Sequence, residues 1–137
     1  MKVYLGGPIS GCTDDEVHLW RDKVKPIFEG AGYACLDPSQ RDYRGKTLTR
    51  SIAANIVEED TRDIRNCDLA FFNCWKQDSP MWGTAMEIRY AWSQEKIVIV
   101  VLPEIVAPSP WLLYHGYIYP GDVEQVARWL IRNEGFK

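Results

Sequence analysis

Two short apolar runs, DLAFFNC at residues 68–74 and KIVIVVL at 96–102, constrain the fold more than any other feature of the chain. Each has the length of a strand and is apolar on both faces, which suits a strand covered by helices on both sides. A third run, VYLGG at residues 3–7, ends in Gly-Gly-Pro and reads the same way. Between the strands the period changes. Thr13 opens a helix, and Glu16 three residues on completes a capping box. Val17, Trp20, Val24, Ile27 and Phe28 share one face of it, Pro26 should kink or shorten it, and Gly30 and Gly32 stop it. Residues 33–36 read as another strand, and the polar stretch 37–46, with Pro38 and Gly45, reads as a long loop. Further helices are predicted over 48–65, with Ile52, Ile56 and Ile64 inward, and over 83–94. Residues 117–119 suit an edge strand, and 121–133 form an amphipathic helix carrying Val123, Val126, Ala127 and Leu130.

This alternation predicts an α/β fold: a parallel five-stranded sheet between two layers of helices, with right-handed crossovers and strand order 2-1-3-4-5. Ligands in such sheets bind beyond the carboxyl ends of the strands, where the order reverses. Here that is between the first and third strands, which directs attention to the loops GGPISG and NCWKQDSPMWG.

Length and charge narrow the function. The 137 residues suit one domain spanning 1–137. A net charge of -3 disfavours a nucleic-acid polymer as partner. No apolar run reaches the roughly 20 residues of a membrane span, and the N-terminus lacks a signal-peptide core, so a cytoplasmic protein without membrane attachment is expected. Cys12, Cys35, Cys67 and Cys74 are scattered and read as reduced thiols. With only His18 and His115 beside them, no zinc site is expected.

Glu87, in GTAMEIRYA, is predicted near the start of a helix at the switch point. Such a position keeps a carboxylate ionised and poised to attack or stabilise a cationic carbon, as in glycosidic cleavage. It equally suits a glutamate that only complements the helix dipole. Asp68 and Asp78 are candidates for a second carboxylate that protonates a leaving group, or else a turn residue and a solvated loop charge. Gly6, Gly7, Ser10 and Gly11 would let a sugar or phosphate approach the backbone, though a tight turn needs no ligand. Tyr4 could reach the cleft from the first strand or simply fill the core. Trp82, beside Gly83, could stack on a base, as could Trp75. Arg89 could meet a phosphate or Glu87, or lie solvated on its helix.

KVYLGGPISG, RNCDLAFFNC and GTAMEIRYAWSQEKIVIVV, in this order, together resemble the nucleoside 2-deoxyribosyltransferase family and the related nucleotide N-glycosidases. The resemblance implies a flavodoxin-like (Rossmann-like) fold and a double displacement. Glu87 would take the deoxyribosyl group, Asp68 would help protonate the leaving base, Tyr4 would orient Glu87, and Gln40 would contact the base. It implies no metal or organic cofactor, a deoxynucleoside or deoxynucleotide and a free nucleobase as partners, and a homodimer or larger assembly. The chain departs from the family pattern at Met81, where an aspartate is common, and at Trp111, nearest to an asparagine that a neighbouring subunit commonly supplies. Arg89 stands where a small residue is usual. The first loop lacks the arginine of monophosphate hydrolases, leaving Ser10 and Ser79 for that part. Three readings follow: base-to-base deoxyribosyl transfer, hydrolysis of a deoxynucleoside monophosphate, and a nucleotide-sensing module without turnover.

Overall fold

Alternate residues of the strands feed two separate cores. The computed structural model describes residues 1–133. Its strands are β1 (Lys2–Gly6), β2 (Ala34–Leu36), β3 (Leu69–Asn73), β4 (Ile97–Leu102) and β5 (Tyr117–Pro120), all parallel in the order β2-β1-β3-β4-β5. Val3, Leu5, Leu69, Phe71, Ile99 and Val101 point to one face, where α1 (Asp14–Gly30) and α5 (Val123–Asn133) cover them. Tyr4, Ala70, Phe72, Val98, Val100 and Leu102 point to the other, under α2 (Arg50–Asn66) and α3 (Trp82–Ser93). This is the expected flavodoxin-like three-layer sandwich, with the period-two alternation of strands deciding which core each side chain joins. No described helix is long and apolar enough to cross a membrane. All four cysteines are free.

Three local expectations change. Pro26 neither ends nor shortens α1, which runs on to Gly30. The proline is exposed, as is Asp22 four residues before it, so the carbonyl left without an N–H partner faces water. The stretch after β4 forms a short helix, α4 (Pro110–His115), started by Pro110 and capped by the Ser109 hydroxyl, which accepts from the Leu112 N–H. Finally, the loop after β2 contains a 3-10 turn, Pro38–Gln40, capped by Asp37.

Asp37 anchors this turn from a buried position. It accepts from the Ser39 N–H and hydroxyl at 2.8 and 2.6 Å and pairs with Lys25 at 2.5 Å and Arg21 at 3.4 Å. Burial alone would raise its pKa, but Lys25, Ser39 and Arg21 outweigh that and hold it below the usual carboxylate range. The wholly buried Arg21 also donates to the carbonyls of Leu5, Gly7 and Val17, tying α1 to the carboxyl end of β1.

Candidate active site

Tyr4 rises from the middle of β1 on the α2–α3 face, and Glu87 comes down from α3 to meet it. The Tyr4 hydroxyl donates to Glu87 Oε2 at 2.5 Å, at the short end of the range for an O–H donor. The tyrosine is fully buried and the glutamate is half-buried. Burial pushes the phenol well above its ordinary pKa, and the Glu87 charge adds to this, so Tyr4 stays a donor. The second oxygen of Glu87 faces Gly83, one turn back, where a Cβ would stand 4.0 Å from it.

The protonation state of Glu87 differs from the expectation. Helix α3 begins at Trp82, so Glu87 lies beyond its first turn, where the dipole has faded. Burial raises its pKa to about 8, and the negative charge of Asp60 adds to this. The Tyr4 hydrogen bond and the cations Arg21 and Arg41 oppose the rise without cancelling it. The shift favours the protonated form of Glu87 over a wider pH range than for an ordinary carboxyl.

Asp60 was not singled out by the sequence reading, yet it is the carboxylate that acts on Glu87. It lies four residues after Ile56 and four before Ile64, on the inward stripe of α2. Its side chain is 17% exposed, and burial raises its pKa although Arg41 pulls the other way. Arg41, just after the 3-10 turn, reaches Glu59 at 2.9 Å, Asp60 at 3.1 Å and Asp63 at 2.7 Å. An acidic residue inside an Ile-x-x-x-Asp-x-x-x-Ile stripe was the available signal; three neighbouring acids on α2, Glu58, Glu59 and Asp63, hid it.

Asp68 is not at this site. It precedes β3 at the amino end of the sheet, is exposed, and accepts from the Lys2 N–H at 2.8 Å. In the strand register Tyr4 stands level with Ala70, and Asp68 lies two residues before that level, beside Lys2, with its carboxylate taken up by the Lys2 N–H. Its place at the start of a strand, read as catalytic, is a strand-pairing position.

The other candidates divide. Gly6 and Gly7 are buried, and protein fills the space their side chains would need. A Cβ on Gly6 would lie 2.3 Å from the Phe72 ring, and one on Gly7 would lie 3.1 Å from the Asn73 carbonyl. Close packing, not access for a sugar, accounts for glycine at these two positions. Ser10 and Gly11 are exposed, and a Cβ on Gly11 would meet open space. Gln40 is exposed and donates to Asp37 at 3.4 Å. Asp78 is exposed and 3.5 Å from Lys76, which also bonds Glu16 at 3.1 Å, so its ion pair lies beside the first turn of α1 and does not involve Glu87. Trp82, 71% exposed, opens α3 directly after Met81, whose φ of 47° is left-handed. Arg89 turns away from Glu87. Its guanidinium lies 4.7 Å from the Trp92 ring centroid and donates to His115 Nε2 at 3.1 Å.

Arg89, Trp111 and His115 line two hollows of about 380 and 470 Å³ between α3 and α4, neither of which Glu87 lines. Among the described residues, Asp14, His18 and Asp42 bring ligand-type atoms within 4.8 Å of one another. Arg44 already binds both carboxylates there, at 2.7 and 2.6 Å, so a guanidinium occupies the cluster.

A buried tyrosine–glutamate contact flanked by a second carboxyl thus lies near the point where the strand order of the parallel sheet reverses. The profile of the nucleoside 2-deoxyribosyltransferases matches residues 3–108, and the chain belongs to that family. The fold is similar to that of a 2-deoxyribosyltransferase from the psychrotolerant bacterium Bacillus psychrosaccharolyticus, with 16% identity over 93% of this chain and 90% of that one and a TM-score of 0.73. It is also similar to the CMP N-glycosidase BcmB of Clostridium botulinum, with 20% identity over 94% and 98% and a TM-score of 0.59. A conserved protein from Enterococcus faecalis V583 gives 13% identity over 97% and 98% and a TM-score of 0.67. Comparison with curated proteins gives no match.

Proposed function

We propose that the chain cleaves the N-glycosidic bond of a 2'-deoxynucleoside through a covalent deoxyribosyl–Glu87 intermediate and transfers the sugar to another base. The observation that carries this is the 2.5 Å hydrogen bond from Tyr4 to Glu87, which leaves the second carboxylate oxygen free to attack. Asp60 and Glu87 raise each other's proton affinity, so over a range of pH they hold one proton between them. The reacting state has that proton on Asp60. Glu87 attacks C1', the C1'–N bond breaks, and the base leaves with the bonding electrons and the Asp60 proton. The incoming base, deprotonated by Asp60, then attacks C1' and frees Glu87. Tyr4 acts by positioning, and Gln40 and Trp82 are the proposed base contacts, with Ser10 and Gly11 beside the sugar.

The whole chain, 1–137, would act as one domain in the cytoplasm on small molecules, without metal or organic cofactor. Water in place of the second base gives the alternative, a deoxynucleoside monophosphate N-glycosidase. The likeness to the CMP N-glycosidase favours keeping it in view. Chromatography separates the readings. Incubation of each deoxynucleoside and monophosphate with a second free base should yield a new nucleoside. Free base with deoxyribose 5-phosphate would move the assignment to hydrolysis, and tight binding with no base released would move it to a sensing module.

We further propose that the enzyme works as a homodimer or larger assembly. Trp82 and Met86 on α3, Trp111 and Tyr114 on α4, and Tyr117 on β5 are each more than 60% exposed, and aromatic exposure of this extent marks an association surface. Sedimentation should show at least a dimer that Trp111→Lys dissociates. A monomer at every concentration would contradict this.

A further inference from the structure

We propose that Arg41 is a positioning residue that ties the loop carrying Gln40 to Asp60 and thereby governs the ionisation and orientation of Asp60. The proposal rests on the reading of Asp60 as the proton donor.

The geometry is specific. One guanidinium meets three carboxylates of α2, with Nε on Glu59 and Nη2 shared by Asp60 and Asp63. Partly exposed ion pairs contribute little to stability. The same contacts do determine where Asp60 points, because its Oδ1 is held at 3.1 Å. Arg41 follows Gln40 directly, so the ion pairs also set the distance between a proposed base contact and the proposed acid. The groups facing Asp60 are thus Arg41 from the loop, Glu59 and Asp63 from its own helix, Glu87 from α3 and Tyr4 from β1. Among the described residues, Arg41 is the one cation in direct contact with Asp60. Arg44 fixes the other end of the loop. It donates to the Cys12 carbonyl at 2.8 Å and binds Asp14 and Asp42, so it offers a control that loosens the loop without removing charge from Asp60.

The test is a pH titration of aspartate labelled with carbon-13 at its side-chain carboxyl, followed by NMR in the full chain, with kcat and KM measured alongside. Arg41→Gln should raise the Asp60 midpoint by about one pH unit or more. It should also lower kcat more than it raises KM and shift the acid limb of kcat/KM by the same interval. Arg41→Lys should restore the midpoint but only part of kcat, because it keeps the charge and loses the fork. Arg44→Gln should leave the midpoint in place. An Asp60 midpoint unchanged in Arg41→Gln, or moved equally by Arg44→Gln, overturns the proposal. Should Arg41→Gln not fold, Arg41→Lys decides. Reduced kcat at an unchanged midpoint supports the assignment, and wild-type kcat overturns it. If the wild type releases no base while Arg41→Gln still moves Asp60, the proposed activity fails and the assignment of Arg41 stands.

Discussion

Glu87→Gln is expected to abolish base release, with kcat lowered by roughly 10³-fold or more, and at the same time to stabilise the protein in alkaline solution. The amide still accepts from the Tyr4 hydroxyl, so the site keeps its shape, but it cannot form an ester with C1'. The stability gain follows from the wild-type carboxyl. Its folded pKa of about 8 lies above the ordinary 4.5. Between these values the folded state binds more protons than the unfolded one, so stability falls as pH rises from the lower value to the upper. Glutamine removes that loss. Discounted because the side chain is partly exposed, the gain is roughly 2–4 kcal/mol above pH 8. Urea unfolding at pH 5 and pH 9 reads it: the variant should gain on the wild type at pH 9 and not at pH 5. Equal stability at both would show that Glu87 is not buried as its charge environment implies.

Asp60→Asn should lower kcat/KM by about 10²–10⁴-fold, the usual worth of a positioned acid. The loss should shrink for a base that departs readily without a proton. The wild-type profile should be bell-shaped, because the reaction needs exactly one proton on the two carboxyls. Its alkaline limb should fall near pH 8, where that proton is lost. Asp68→Asn should leave kcat/KM unchanged, since the Asp68 carboxylate meets the Lys2 amide at the amino edge of the sheet and not Glu87. If Asp68→Asn rather than Asp60→Asn abolished the acid function, the site described here would be misplaced.

The contrast between these two aspartates shows what was legible in the sequence. Apolar runs and their alternation carried the sheet order, because burial on both faces of a parallel strand leaves an unmistakable pattern. Tyr4 was named from within the first strand and Glu87 from near a helix start, the family resemblance paired them, and the structure brings them into contact. Asp60 was obscured because helix α2 is rich in charge, and only its register between Ile56 and Ile64 marks it as inward. Protonation was out of reach for a different reason. A helix start read one residue late, with Glu87 placed in its first turns, suggested a dipole effect, whereas desolvation and a second carboxylate govern the group. Gly6 and Gly7 were assigned to ligand access because a glycine-rich turn looks the same whether its empty space is filled by substrate or by Phe72 and Trp20. Arg89 pointed to the site by sequence distance alone, while helical geometry sends residues two apart to different faces.

Rapid acid quenching of the protein with a deoxynucleoside, followed by peptide mass mapping, tests the central claim most directly. One deoxyribosyl group should appear on the peptide containing Glu87, disappear when a second base is added, and be absent from Glu87→Gln. Full turnover with the sugar attached to another residue, or to none, would contradict it.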